Sequence, residues 1–259
     1  MSKTWKQHRV EVKAHARMSL HGNFFKAVFA GVVFTFFASL ALSFLPLQVP
    51  DITAVYANPE ELFAAILPSE FTPQIIELFI ITFVLYLLLT APLNIGIHRF
   101  YLLANRGEKP KFRIIFSSFL SLREIFSSCA LTIVVFIWQL LWALLLLAAP
   151  LALFVFSPIL GPLAEIASYI LYFAAMVLLL IAYAPFPLAP FIFAEDPARG
   201  AFKSVLLAMK LTRGRRRELC VFHLSFALWR FLFSFNIPGA FFIAPYINMS
   251  TARFYDTLN

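Results

Sequence analysis

Charged residues are scarce in this chain. Only 13% of its 259 residues are Asp, Glu, Lys or Arg, whereas 61% are hydrophobic, and the mean hydropathy is +0.84. A water-soluble domain needs a solvated polar surface, so this composition excludes an ordinary soluble protein. The composition instead predicts an all-α integral membrane protein.

Signatures of catalysis and metal binding are also lacking. The sequence contains no GxSxG, HExxH or P-loop motif, and its two cysteines have no CxxC or Cys–His spacing. The acidic residues between the first two apolar segments have no histidine near them in sequence, so no ligand set for a metal is evident. We therefore predict no catalytic residue, no cofactor and no metal site, and we do not expect an enzyme.

Three blocks hold almost all of the positive charge. The 21 Lys and Arg residues fall at 3–26, 99–123 and 199–217, followed by Arg230 and Arg253. A membrane-spanning helix needs about 20 mostly apolar residues, and each gap between the basic blocks can hold two. Since cytoplasmic loops carry an excess of Lys and Arg, all three blocks are predicted to lie in the cytoplasm.

The sequence therefore predicts a single polytopic membrane domain over residues 1–259, with both termini in the cytoplasm. It begins with a cytoplasmic helix at 1–23, and its six predicted spans lie at about 24–45, 75–97, 126–149, 166–186, 219–235 and 240–254. The charge-free stretch at 125–164 is long enough to cross twice. Two crossings there would put the basic run at 213–217 outside, against the positive-inside rule, so we count one.

Prolines mark the predicted turns. Pro150, Pro158, Gly161 and Pro162 are predicted to form the outer turn after the third span. The prolines at 185–190 are predicted to kink or unwind the fourth span. The last two spans, joined at 236–239, are short, so this hairpin tilts, thins the bilayer or turns inside it. A short interfacial helix is predicted in the first outer loop, with apolar side chains at Leu62, Phe63, Ile66 and Leu67.

An internal repeat is predicted from two similar apolar patterns. Phe112, Ile115, Phe116 and Phe119 have helical spacing, and Phe202, Val205, Leu206 and Met209 repeat it 90 positions later. Each pattern follows a proline-containing span and lies within a basic block. We predict three units, each a basic amphipathic helix at the cytoplasmic surface followed by a helical hairpin.

The basic blocks are predicted to contact anionic lipid of the inner leaflet, where each cation contributes about 1 kcal/mol. The predicted contact residues are Lys109, Lys111, Arg113, Lys203, Lys210, Arg213, Arg215, Arg216 and Arg217. Nucleic-acid binding is not expected, because no groove-reading or stacking residues are interleaved in the run RGRRR.

Few polar residues fall within the predicted spans. Arg230, His223, Glu165, Glu77 and Asn94 are the candidates for an intramembrane polar site. Arg230 either pairs with Glu165 or Glu77 in a pocket, or extends its side chain to the headgroups. His223 and Asn94 are either part of that site or hydrogen-bonded structural groups.

Short motifs along the chain resemble a known family. They lie at 16–23 (ARMSLHGN), 204–214, 224–229 (LSFALW), 245–246 (PY) and 254–255 (FY). They are similar to the bacterial membrane family catalogued as domain of unknown function 975. The chain departs from the usual pattern by placing Arg230 directly after Trp229 and by its last turn at 236–239. The resemblance implies a multi-span protein of a bacterial cytoplasmic membrane, and it supplies no catalytic residues.

Three function classes are compatible with these features. The first, which we favour, is a non-catalytic envelope protein that organises lipids or assists partners, with a membrane protein or a second copy of the chain as its partner. The main alternative is a transporter or channel with a polar site near Asn94 or Arg230. The third is an intramembrane enzyme, which would require titratable side chains clustered within hydrogen-bond reach. A transporter would require a polar cavity near the middle of the membrane, whereas an organising protein would not.

Overall fold

The computed structural model describes residues 5–45, 72–234 and 237–258, and these residues form helices joined by turns. The predicted interfacial helix around residues 62–67 lies outside the described residues. In chain order the described α-helices are α1 (Trp5–His21), α2 (Phe24–Leu42), α3 (Pro73–Asn105), α4 (Leu122–Leu160), α5 (Pro162–Tyr183), α6 (Ala189–Glu195), α7 (Ala201–Leu211), α8 (Arg216–Leu224), α9 (Ala227–Ser234) and α10 (Ile237–Asp256). Short 3₁₀ helices lie at Phe112–Leu120, Phe186–Leu188 and Pro197–Arg199.

Four of the described segments are long and apolar enough to cross a membrane. They are Phe24–Leu42, Pro73–Asn105, Leu122–Leu160 and Pro162–Glu195, and each corresponds to a predicted span. The predicted spans at 219–235 and 240–254 are not among them, so the count of six is not confirmed. The sequence at 219–234 is divided between the nine-residue α8 and the eight-residue α9.

The buried core lies towards one end of the helices. It consists of the second half of α3, the short helix α6 and the second half of α10, with α1, the 112–120 helix and α7 packed around them. By contrast, most side chains in the second half of α4 and the first half of α5 are exposed. The two helices of this hairpin pack mainly on each other. Among the described residues, the best-packed end of the structure is therefore the one that carries the prolines at 185–190 and most of the charged side chains.

The 112–120 helix lies directly on α3 at Gly96. A Cβ atom built on Gly96 would overlap the carbonyl oxygen of Ile115, and the Ile115 side chain is fully buried. Two backbones can approach this closely only where one residue has no side chain. Gly96 therefore fixes the position of the 112–120 helix, and with it the basic segment around Lys109 and Arg113.

The turn after the third span lies at Gly161 and Pro162, the last two of the four residues predicted to form it, and not at Pro150 or Pro158. Helix α4 continues through Pro150 and Pro158 to Leu160, and Gly161 ends it with a φ of 91°. A membrane segment tolerates proline within a helix, because leaving the helix would expose many more unpaired backbone groups. Gly161 adopts a left-handed conformation that residues with a side chain rarely reach, and it separates α4 from α5.

The proline group after the fourth span has the predicted effect. Helix α5 ends at Tyr183, and a 3₁₀ helix at Phe186–Leu188 leads into the separate helix α6. Proline removes a backbone donor, and here three prolines fall within six residues, which interrupts the α-helical hydrogen bonds. The break brings the end of α6 to the end of α3.

A second break separates α8 from α9 at Ser225 and Phe226. The Ser225 hydroxyl donates to the carbonyl of Phe222 at 2.5 Å and accepts from the Lys13 ammonium at 2.7 Å. The Lys13 ammonium also lies 4.2 Å from the centre of the Phe226 ring. The N-terminal helix thus stabilises this turn through one partly buried cation.

The predicted repeat is not confirmed. Residues 112–120 form a 3₁₀ helix packed on α3, whereas α7 is α-helical and packs on α4 and α6. Ile115 and Val205 are both fully buried, but Phe202 and Leu206 are exposed. The matching apolar patterns therefore produce two different local structures.

We predict that Gly96→Ala destabilises the protein by about 3 kcal/mol, because the added methyl group overlaps backbone atoms that cannot rotate away. Thermal unfolding of the detergent-solubilised chain would measure this. Gly31→Ala is the matched control, since it lies in another spanning helix and its Cβ would meet only the ring of Phe241 at an ordinary 3.5 Å. Equal melting temperatures for the two variants would contradict the prediction.

Candidate functional site

The segments that carry the basic blocks meet at one end of the described structure, which we call the basic end. The Lys26 ammonium donates to the carbonyl of Pro110 at 3.2 Å, which joins the start of α2 to the loop after α3. The Arg99 guanidinium joins α3 to the end of α6, to the 112–120 helix and to the start of α4. Distant parts of the sequence therefore form one surface.

Arg99 makes this junction with three hydrogen bonds. It donates to the carbonyl of Ala194 at 3.2 Å, to the Ser117 hydroxyl at 2.7 Å and to the Glu124 carboxylate at 3.2 Å. Its side chain is only 22% exposed. A largely buried guanidinium is stable only when its donors are satisfied, so these contacts hold four segments in register.

A second polar group, which we call the Arg106 cluster, consists of Asn105, Arg106, Glu195, Tyr255 and Asp256. Arg106 donates to the Glu195 carboxylate at 2.6 Å and to the Asp256 carboxylate at 2.9 Å. Asn105 also donates to Asp256, and the Tyr255 hydroxyl donates to Glu195 at 2.5 Å. The cluster ties the ends of α3, α6 and α10 together.

Two basic groups at the Arg106 cluster have shifted pKa values. Burial disfavours the charged Arg106 guanidinium, but hydrogen bonds and charges from Asp256 and Glu195 outweigh burial and raise its pKa. Burial lowers the pKa of His15, and the positive charge of Arg253 lowers it further. Asn105 and Asp256 act in the opposite direction, and Ser19 lies 3.3 Å from the His15 ring nitrogen.

Most of the predicted lipid-contacting cations are exposed at the basic end, and the described residues provide no ion-pair partner for them. These are Lys109, Lys111, Arg113, Lys203, Lys210, Arg213 and Arg217. By contrast, the acids Glu124, Glu195, Asp196 and Asp256 are each within 4 Å of an arginine nitrogen. The surface therefore retains an excess of unneutralised positive charge.

Two of the predicted contact residues have other surroundings. Arg215 lies 2.9 Å from the Glu218 carboxylate, which neutralises part of its charge. Arg216 is half-buried, and its Nε has no hydrogen-bond partner within the described ranges. The basic run at 213–217 is therefore not a uniform surface, and Arg213 and Arg217 are its exposed members.

The structure does not bring the predicted intramembrane polar residues into one group. Glu77 and Asn94 lie on the same helix, α3, 17 residues apart, which corresponds to about 25 Å along its axis. Glu165 lies in the first turn of α5 and accepts a hydrogen bond from Tyr169 at 3.2 Å. A single compact site cannot include both Glu77 and Asn94.

Of the other three predicted polar residues, His223 and Asn94 lie near the basic end. His223 is in the last turn of α8. The centre of its ring lies 5.5 Å from the centre of the Phe222 ring, and the two rings meet edge to face. The carbonyl of Asn94 is 2.7 Å from the His98 ring nitrogen, one turn later on α3. The side chain of Arg230 lies outside the described residues, so its predicted pairing is untested.

Comparison with known proteins agrees with the sequence motifs. The model of the family described as "Protein of unknown function (DUF975)" matches residues 1–259. The chain belongs to the DUF975 family. No match to it was found among curated proteins or among solved structures. The resemblance inferred from the motifs at 16–23, 204–214 and 224–229 is thereby confirmed.

Sequence reasoning missed the Arg106 cluster in this DUF975 member. Arg106 and Asp256 are 150 positions apart, and Arg106 and Glu195 are 89 positions apart, so no local spacing relates them. The one signal in the sequence was that each charged residue lies at an end of an apolar helix, where oppositely charged groups can meet without entering the membrane. Among the described residues, no group of three His, Cys, Asp or Glu side chains is placed to hold a metal ion.

Arg106→Gln is expected to lower the free energy of unfolding by about 1 kcal/mol. The change leaves Glu195 and Asp256 facing each other without their shared cation, while partial exposure to water limits the loss. Chemical or thermal unfolding in detergent is the measurement. Arg123→Gln, an exposed arginine of the same end with no described ion pair, should be neutral. Equal losses in both variants would count against a structural role of the cluster.

His15 is expected to make the protein less stable in acid. Its lowered pKa means that the unfolded chain binds the proton more tightly, so folding stability falls as the pH drops through about 6.5. His15→Gln should reduce the difference in melting temperature between about pH 7.5 and pH 5.5 relative to the unmodified chain. An unchanged difference would show that His15 titrates normally in the folded protein.

Proposed function

We propose that this protein is a non-catalytic membrane-organising protein of the bacterial cytoplasmic membrane, whose basic end binds anionic phospholipids of the inner leaflet. The observation that carries this proposal is the excess of exposed, unneutralised cations at the same end as the rigid core. The packed helices hold the backbone of these cations in fixed positions. Anionic lipids would therefore bind in a defined arrangement, which cations on a flexible tail would not produce.

Helix α7 supports an interfacial position for this surface. Phe202 and Leu206 are 54% and 41% exposed, and Lys203 and Lys210 are exposed on the same helix. Its other face is anchored by the fully buried Val205. A helix with exposed apolar and cationic side chains fits the boundary between acyl chains and headgroups, where both are favourably solvated.

The positive-inside rule supports a cytoplasmic location for the basic end and for both termini. We propose that α8, α9 and α10 form a third hairpin, which enters from this end and returns to it. Helix α9 has eight residues and is about 12 Å long, so the first arm of this hairpin crosses the bilayer fully only if α8 extends it. The second arm, α10, has 20 residues and is about 30 Å long, which is enough to cross. Both termini stay on one side in either case.

The proposal predicts a preference for anionic lipid that depends on the exposed cations. The protein would be reconstituted into bilayers containing spin-labelled phosphatidylglycerol or phosphatidylcholine, and the association of each lipid measured by electron paramagnetic resonance. The triple variant Lys210→Glu, Arg213→Glu, Arg217→Glu should reduce the preference for phosphatidylglycerol at least about fivefold, since each cation contributes about 1 kcal/mol.

Two controls separate lipid binding from misfolding. Glu77→Gln changes one charge at the other end of α3, so the lipid preference should not change. Raising the salt concentration to about 0.5 M should weaken the preference of the unmodified protein by screening. A triple variant that folds normally and keeps the full preference for phosphatidylglycerol would refute the proposed function.

A further inference from the structure

A cavity of about 650 Å³ lies where α1 meets α2, bounded on the other side by α9 and α10. Its lining includes Arg17, His21, Phe24, Trp229, Phe242 and Tyr246. Nearby, Lys26 contacts the loop that carries Lys109 and Lys111. The cavity is therefore close to the level of the basic end, at the depth proposed for the headgroups.

The cavity has a cationic opening. Arg17 and His21 are both exposed and are one helical turn apart on α1, so their side chains lie on the same face. The lining contains no carboxylate among the described residues. The Arg17 guanidinium carbon lies 5.5 Å from the centre of the Tyr246 ring, which directs its charge over the cavity wall. These groups favour an anion.

The Tyr246 hydroxyl provides a second, independent indication. It is buried, yet it has no hydrogen-bond partner within the part of the chain that the structure describes. Leaving a buried hydroxyl unpaired costs about 1–3 kcal/mol, so such groups are usually completed by water or a ligand. An acceptor oxygen held by Arg17 would lie within reach of this hydroxyl along the same wall.

The remaining wall suits an acyl chain. Phe24 and Phe242 stack with ring centres 5.9 Å apart, which closes the groove between α2 and α10. Phe25, Phe242 and Trp229 are 85%, 56% and 49% exposed, although they line the cavity. The cationic opening suits the phosphate of a phospholipid, and the exposed aromatic rings beside it suit its acyl chains. Aromatic side chains with this exposure are typical of the membrane interface.

We propose that this cavity binds one anionic phospholipid, with its phosphate at Arg17 and the Tyr246 hydroxyl and its acyl chains along Phe25, Phe242 and Trp229. The inference rests on the proposed function, since it assigns a defined lipid site at the same basic end. It adds the expectation that one lipid per chain binds more tightly than the others, which the exposed cations alone would not produce.

Native mass spectrometry of the full chain in detergent tests the site by stepwise titration. Phosphatidylglycerol, phosphatidylcholine and glycerol 3-phosphate are the probes. The first phosphatidylglycerol should bind more tightly than phosphatidylcholine, and Arg17→Gln should weaken that first step about tenfold, as expected for one charge-assisted hydrogen bond. Glycerol 3-phosphate, which has the charge but no acyl chains, should not displace the lipid.

Tyr246→Phe gives a sharper test, because it removes only the hydroxyl. Lipid-free thermal stability should not fall and should rise if the hydroxyl is unpaired without lipid, since the variant removes a buried polar group that has no described partner. The first phosphatidylglycerol should bind about fivefold more weakly. Met18→Gln is the matched control on α1, since Met18 is exposed and does not line the cavity. It should bind lipid like the unmodified chain.

The outcomes separate this inference from the proposed function. If Arg17→Gln and Tyr246→Phe bind the first lipid normally while the triple variant at 210, 213 and 217 loses its preference, the cavity is not the site and the proposed function stands. If neither set of changes alters lipid binding, both fail. Displacement of the lipid by glycerol 3-phosphate would make the cavity a small-anion site and overturn the lipid assignment.

Discussion

The contact that Arg106 shares with two carboxylates joins the ends of three helices, and the other helices of the basic end pack around this junction. Glu195 and Asp256 approach it from α6 and α10, and both are too far along the chain to be held by local structure. Once the end of α10 is fixed, α1 can pack along it, with His8 against Phe254 and Arg17 over Tyr246. The N-terminal helix and one wall of the proposed lipid cavity therefore lie along the helix whose end this contact holds.

The core and the charges lie together for a physical reason. In the apolar part of a membrane, lipid solvates exposed Phe and Leu side chains as well as protein does, so no hydrophobic driving force brings helices together there. At the headgroup level, polar groups and helix ends need partners, and Arg99 and Arg106 supply several each. In the described structure the tight packing lies at the end that carries these arginines, and the exposed cations are arranged around it.

Hydropathy and charge predicted the four long crossing segments, because a run of about 20 apolar residues between basic blocks is typical of a helix that crosses a bilayer. The prolines at 185–190 predicted a true break, whereas Pro150 and Pro158 did not end α4, since a lone proline removes a single donor and a membrane helix tolerates that. The close approach at Gly96 and the pairing of Arg106 with Asp256 could not be predicted. Both depend on which surfaces meet in three dimensions, and no local spacing in the sequence relates residues as far apart as Arg106 and Asp256.

The long hairpin of α4 and α5 is oriented by its packing. Helix α4 has 39 residues, about 58 Å, whereas the apolar core of a bilayer is about 30 Å thick. Such a helix must tilt or extend beyond the membrane, and hydrophobic length alone does not set its angle. Its first turns are tied to α3 by Glu124, which accepts a hydrogen bond from Arg99. Contacts with α3, α5 and α7 hold the helix along its length, so packing against neighbouring helices and not hydrophobic length decides its orientation.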